Sequence, residues 1–519
     1  MPSPLIPLVS LVVKTLGIPA VLIWQLQRRT SISLNTLQSF IFYVLGVSFY
    51  LWSQVTISQW RCDKRAKAVG ATPIPRVRGK WLWNFDILVE GRRRFSHEMP
   101  GTFLMELEKK CGTTFDTAVL GGHFITTIDP LVVKHALTGT SFLNYEKGSF
   151  FNKIFEDLLG SGQRASFQTA LARLKRVTSH RNLTRPYFAA EKISDFDTFS
   201  RHTARLLQVI DSLACSPGTS SAHSNGAVEI QDLFGRFTLD SATDFLMSGP
   251  LDSLSEVVAT GDPNGPSTAF LGGRGRLGPL WPLFELWKNP NEDYMAIIAP
   301  VVEGLINKAL AKPHEVNRTG DEAGSLLDSL IHKTRDSKII KDQVLNILLA
   351  ARDTTMSALT FSTYSLARDP VITAKLRAEI LSVVGKDGIP TYEEARGMKY
   401  LRAFINEVLR MFPPVPFNIR AAIADDVVED SDGRRHFVAG GTRVSNEELG
   451  FIPLETEFTF QQLSYSLYNM QRRIDLWGED ALTFDPDRWL DERKEIFKAN
   501  PFIFQVPLYL IGRTSRLFY

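Results

Sequence analysis

Apolar positions recur every three to four residues from Ile193 to Leu213, Asp293 to Leu310, Lys341 to Leu366, Val371 to Val384 and Tyr400 to Met411. That period predicts helices with one buried face. Leu171 to Val177 adds a shorter one, and the β-branched residues around Thr126-Thr-Ile-Asp-Pro predict a small sheet near the start of the globular part. The fold class is therefore mainly α with small β-sheets. One helical run breaks its own pattern. Val344, Ile347, Leu348, Ala351, Leu359 and Tyr364 keep the period, yet the middle reads Leu-Leu-Ala-Ala-Arg-Asp-Thr-Thr from Leu348 to Thr355. Asp and Thr are middling helix formers, and a buried unpaired charge is costly. Either Asp353 caps a second helix, or the helix kinks and aims polar groups into a cavity where small alanines admit a ligand.

The first sixty residues carry a different pattern. Leu5 to Leu26 has a single charge, Lys14, and Thr30 to Trp60 has none. Leu37 to Ile57 is long enough to cross a bilayer as a helix of about 20 residues. Leu5 to Leu26 reads as a second span or an interfacial helix. Arg61, Lys64, Arg65 and Lys67 follow, so the positive-inside rule places the rest of the chain in the cytosol. The expected organisation is an anchor over 1–60, a basic, proline-stiffened hinge over 61–80 containing Pro73-Ile-Pro75, and a catalytic domain over 81–519. In that topology the sequons at Asn182 and Asn317 are not used. Gly272-Gly-Arg-Gly-Arg lacks the flanking residues of a phosphate loop and reads as a plain loop.

Composition narrows the function. A chain of 519 residues with 44% apolar and 22% charged positions builds a sizeable core. Its 34 phenylalanines suit a roomy apolar interior. A net charge of +3 and the lack of basic runs interleaved with aromatics argue against nucleic acid as a partner. Cys62, Cys111 and Cys215 form no disulfide framework, consistent with a reducing compartment.

Further motifs follow in a fixed order: His180-Arg181-Asn-Leu-Thr-Arg-Pro, Glu407-Val-Leu-Arg410, Phe412-Pro-Pro-Val-Pro-Phe-Asn-Ile-Arg420 and Phe484-Asp-Pro-Asp-Arg488-Trp489. Glu407 and Arg410 sit at i and i+3, where opposite charges pair on one helix face. Together with Ala-Ala-Arg-Asp-Thr-Thr, this series resembles the cytochrome P-450 family of haem monooxygenases from about Pro73 to Phe504. It is most similar to fungal membrane-bound members like the alkane and fatty-acid hydroxylases. The resemblance implies a cytochrome P-450 fold with haem as cofactor. It gives Asp353 and Thr354 the proton-relay role in oxygen activation, and gives Arg181 and Arg420 the haem propionates. It also implies a salt-bridge cluster of Glu407, Arg410 and Arg488, counted with the cofactor-binding residues. The implied reaction is hydroxylation of a small apolar substrate (a fatty acid, an alkane, or a terpenoid or other secondary metabolite). It uses O₂ and electrons from NADPH–cytochrome P-450 reductase at the endoplasmic reticulum membrane. Arg164, Arg173, Lys175 and Arg176 form either a docking face for an acidic reductase or a solvated helix face.

The sequence also departs from the family pattern. The family's haem-iron Cys is expected in a glycine-rich loop after Asn500-Pro-Phe-Ile-Phe504, and no cysteine follows Cys215. The expected metal ligand is thus missing and the fold reads as truncated at its C-terminus. Val177 stands where the family has Trp, and 445–463 has no family counterpart. His436 is expected in a loop. The expectation drawn from these departures is retained introns or exon-boundary errors in the gene product, which transcript sequencing tests. The alternative function is a catalytically inactive, membrane-anchored relative with an interaction role only.

Overall fold

The computed structural model describes residues 17–30, 35–148, 196–215, 228–254, 290–310, 325–440 and 461–504, with short breaks at 82–83, 96, 100, 120–122, 140, 248, 250, 335 and 387. In chain order the helices begin with α1 (Ile18–Thr30), α2 (Thr36–Ala68), α3 (Phe85–Phe95), α4 (Thr102–Cys111) and α5 (Pro130–Leu137). There follow α6 (Phe196–Cys215), α7 (Ile230–Met247), α8 (Pro290–Leu310), α9 (Leu326–Lys333) and α10 (Ser337–Arg368). The last long helices are α11 (Pro370–Val384), α12 (Tyr392–Gly397) and α13 (Lys399–Met411). The strands are β1 (Thr114–Asp116), β2 (His123–Thr127), β3 (Tyr145–Glu146), β4 (Phe417–Ala422), β5 (Asp426–Glu429), β6 (Arg435–Val438) and β7 (Gln461–Ser466). The expected class, mainly α with small sheets, is the observed one.

The chain forms two compact units. One spans Met1–Phe150, Gly272–Pro290 and Ile419–Tyr465, and the other Phe151–Leu271, Asn291–Asn418 and Ser466–Tyr519. The first unit holds a five-stranded sheet in the order β1-β2-β7-β4-β3 and the β5–β6 hairpin. Ile125, Val132, Tyr145, Ala422, Val428 and Leu463 close its core. β7 runs parallel to β2, with Gln461, Gln462 and Leu463 opposite His123, Phe124 and Ile125. The last three residues of 445–463, read as foreign to the family, therefore complete the sheet. Leu463 and Tyr465 alternate inward, which is what a buried strand needs. His436 is not in a loop: it lies on β6, buried, with Nε2 2.7 Å from Asp430 Oδ2.

Asn35 and Gln38 cap α2 reciprocally: Gln38 N donates to Asn35 Oδ1 at 2.8 Å and Asn35 N to Gln38 Oε1 at 3.1 Å. Among the described helices, Leu37–Ala68 is the one long and apolar enough to cross a membrane by length and composition. Phe40, Leu45, Phe49 and Trp60 are exposed along it. The helix does not stop at residue 60. It runs on to Ala68, where Ala66 and Ala71 pack with Phe437 and Ala439. Asp63 pairs with Arg76 at 2.6 Å and Arg65 with Asp425 at 3.1 Å. Thr72 and Arg76 form bridges to His436 and Asp116. The stretch expected to be a hinge is thus woven into the first unit, because its backbone groups find partners there.

In the second unit α10 is the central element. Asp336 caps it by accepting from Lys338 N and Ile339 N. At its other end Asp369 accepts from Val371 N and Ile372 N to cap α11, with Pro370 in the first turn of α11. Ile340, Val344, Leu345 and Leu348 bury one face of α10 against Leu246, Met247, Val302, Ile306 and Leu330. Gly235 on α7 allows the close approach: a Cβ there would lie 3.1 Å from Met356 Sδ and 3.3 Å from Arg352 Nη2.

Candidate functional site

The Leu348–Thr355 stretch does not interrupt α10, which is helical throughout Ser337–Arg368. Asp353 is therefore not the N-cap of a second helix. Thr354 Oγ1 donates to Ala350 O at 2.5 Å, the i−4 bond that satisfies a hydroxyl inside a helix. Asp353 is partly buried and accepts from Arg352 Nη1 at 3.1 Å. Burial pushes its carboxyl up from the ordinary range, and the Arg352 guanidinium opposes this without cancelling it. A carboxyl that keeps its proton to higher pH stands next to a hydroxyl whose oxygen still has accepting capacity.

Glu407, Arg410 and Arg488 come together at the heart of the second unit, all fully buried. Glu407 Oε1 accepts from Arg410 Nη2 at 2.7 Å, Asp485 N at 2.8 Å and Arg488 Nε at 3.2 Å. Its Oε2 accepts from Arg410 Nε at 2.8 Å and Trp489 Nε1 at 3.0 Å. The remaining Arg410 donors go to Gln471 O, Ala481 O and Thr483 O, and the Arg488 nitrogens reach Trp477 O and Asp480. The guanidinium of Arg410 lies 5.1 Å from the Trp477 ring centre, over its face. Every N–H of Arg410 is engaged. Glu407 and Arg410 thereby stitch α13 to the Pro486–Trp489 turn.

Arg420 lies on β4 in the first unit and is buried. Sequence reading passed over its neighbour Lys147. The ammonium of Lys147 is pushed down to about 7, first by burial and second by the field of Arg420. In the sequence it follows Glu146 and looks like half of a solvated ion pair, so only the strand pairing gives it away. Arg181, the Arg164–Arg176 cluster, Asn182 and Asn317 lie outside the described residues.

The residues fit a carboxylate-bearing cofactor at one end. Arg420 beside Lys147 is a donor set suited to haem propionates. Cys111 packs in an apolar cluster where burial pushes its thiol up, and Cys62 packs beside the Ala66–Phe437 cluster.

A mainly helical unit built round one long helix, with a buried Glu–Arg pair on α13 clamped by an Arg from a downstream Pro-Asp-Arg-Trp turn, defines the haem-monooxygenase class of fold. The chain belongs to the cytochrome P450 family, whose profile matches residues 77–446. It is 36% identical over 395 residues to cytochrome P450 monooxygenase himC of Aspergillus japonicus, covering 74% of this chain and 64% of himC. It is 30% identical over 477 residues to cytochrome P450 52E1 of Candida apicola, covering 87% of this chain and 83% of that protein. Cytochrome P450 monooxygenase pvhE of Talaromyces variabilis is 30% identical over 399 residues, with 73% and 68% covered.

Proposed function

We propose that this chain is a membrane-anchored haem monooxygenase that hydroxylates a small apolar substrate, such as a fatty acid, an alkane, or a terpenoid or other secondary metabolite. When bound, haem supplies the iron at which O₂ is activated. Arg420, with Arg181, holds the propionates. Asp353 and Thr354 hold and move the proton that oxygen activation consumes, Asp353 as the partly buried acid and Thr354 as the hydroxyl that orients its acceptor. Electrons come from NADPH–cytochrome P-450 reductase. The α2 helix and the Lys64, Arg65 and Lys67 that end it support an endoplasmic reticulum anchor with the catalytic domain in the cytosol.

The observation that carries the reading is the Asp353–Thr354 pair in the middle of α10, in a chain whose family is shown. Incubation with NADPH, the reductase, a panel of apolar substrates and ¹⁸O₂ tests it. One labelled oxygen atom should enter a hydroxylated product. A product whose oxygen derives from labelled water, or no oxygenated product from any substrate class, would overturn it.

A further inference from the structure

Helix geometry alone does not bring Arg352 to Asp353. Side chains at i and i+1 diverge round a helix, and it is residues three or four apart that meet. Arg352 Nη1 nevertheless donates to Asp353 Oδ1 at 3.1 Å, so the guanidinium is drawn sideways across the surface of α10. What lies beside it is α7. Arg352 Nε donates to Gly235 O at 3.4 Å, long for such a bond, and the closer restraint is steric. A Cβ at Gly235 would meet Arg352 Nη2 at 3.3 Å and Met356 Sδ at 3.1 Å. Arg352 and Met356 are one turn apart on α10, so the bare backbone of Gly235 faces both. Glycine inside a helix costs stability relative to alanine, and here it makes room for the guanidinium.

We propose that Arg352 is a positioning residue for Asp353, and that α7 fixes its place through Gly235, so that the seating of α7 on α10 decides where the relay carboxyl stands and which charge it meets. This rests on the proton-relay reading above and adds to it a second helix. The charged groups on the helices packed against α10 have partners of their own. On α7, Arg236 pairs with Asp232 at 2.8 Å, while Asp240 accepts from Ser253 Oγ and Asp244 bonds His202 Nε2. Asp328 caps α9, Glu379 of α11 accepts from Tyr400 N and Leu401 N, and Glu407 of α13 is engaged by Arg410. Arg352 is the charge that acts on Asp353, and it favours the carboxylate against burial. A guanidinium stays ionised throughout the accessible pH range, so its position, not its protonation, is what α7 adjusts.

The Asp353 carboxyl is titrated in the full chain by infrared difference spectroscopy, its C=O stretch assigned as the band that Asp353→Asn removes. Arg352→Gln should move the midpoint of that band to higher pH, because loss of the neighbouring cation disfavours the carboxylate. It should also lower turnover by about tenfold, through misplacement of a carboxyl that is still present. Arg352→Lys keeps a charge but gives up the fork, so its midpoint should fall between wild type and Arg352→Gln, and it decides the matter if Arg352→Gln does not fold. Gly235→Ala should shift the band the same way by less, although alanine is the better helix former. Added to Arg352→Gln it should shift the band no further, since the coupling runs through the guanidinium. A Gly235→Ala shift of equal size in both backgrounds overturns the part given to α7. A mere brace between helices would lower the thermal midpoint and leave the band in place, so an unmoved band in a wild-type-like background that still forms product overturns the role alone. A wild type that forms no oxygenated product overturns the relay reading, and the role with it.

Discussion

Replacing Glu407 with alanine should lower the thermal midpoint by roughly 10 °C, corresponding to about 4 kcal/mol in a unit of this size. The residue is fully buried and is the shared acceptor for Arg410, Arg488, Trp489 Nε1 and Asp485 N. Removing it leaves two guanidinium groups buried beside one another without their common carboxylate. That penalty far exceeds the net contribution of the intact pair, because the desolvation of both arginines remains while their compensation is lost. Glu407→Gln should fall between, since it keeps the acceptor for Trp489 but drops the charge. The comparison that decides the matter is Lys375→Ala. Its 2.6 Å bridge to Asp487 joins side chains 50% and 45% exposed, where water and salt screen the attraction to under about 1 kcal/mol. Midpoints for Glu407→Ala and Lys375→Ala that agree within the error of the scan would refute the structural role assigned to the cluster.

The second large effect falls on turnover. Asp353→Asn and Thr354→Ala should each reduce product formation by about a hundredfold, the lower range for losing a positioned proton-transfer group, while thermal midpoint and bound haem stay near wild type. Asp353 is partly exposed and pairs with the adjacent Arg352, and Thr354 donates within its own helix turn, so neither supports the core. Solvent deuterium isotope effects on the rate separate proton delivery from simple disturbance. They should grow in Asp353→Asn, where a water must replace the carboxyl. A variant that loses haem in step with activity would instead make Asp353 a structural residue.

Much of the second unit was legible because its helices obey the 3.6-residue period with little interruption. Tyr400 to Met411 became Lys399–Met411, and Val371 to Val384 became Pro370–Val384. The α7 helix was missed for a physical reason. Asp240 and the Thr238, Ser241 and Thr243 beside it are buried polar residues that blur the apolar stripe. Thr238 and Thr243 donate to backbone carbonyls one turn earlier, while Asp240 accepts from Ser253 N and Leu254 N.

The first unit was harder to read, since its sheet draws on strands far apart in sequence. Nothing local marks Gln461-Gln-Leu463 as the partner of His123-Phe-Ile125. The same long-range pairing hid Lys147, whose meaning depends on a register with residues more than 270 positions away. Residues 61–80 looked like a hinge because prolines and basic residues are also the composition of linkers. Their bonds to β6 and β1 are tertiary facts. The catalytic-site expectations came from motif order rather than pattern. The geometry places Asp353 and Thr354 together on α10, joins Glu407 with Arg410 and Arg488 as a brace, and leaves Arg420 with Lys147 on a separate sheet edge.

The most direct test is the absorption spectrum of the protein purified from its own host, reduced and exposed to carbon monoxide. A haem held through thiolate gives a strongly red-shifted Soret band, because that ligand pushes electron density onto the iron. The proposed monooxygenase predicts that band at one haem per chain. No haem, or a haem with an unshifted band, would contradict the account and leave a membrane-anchored relative that binds partners without oxygen chemistry.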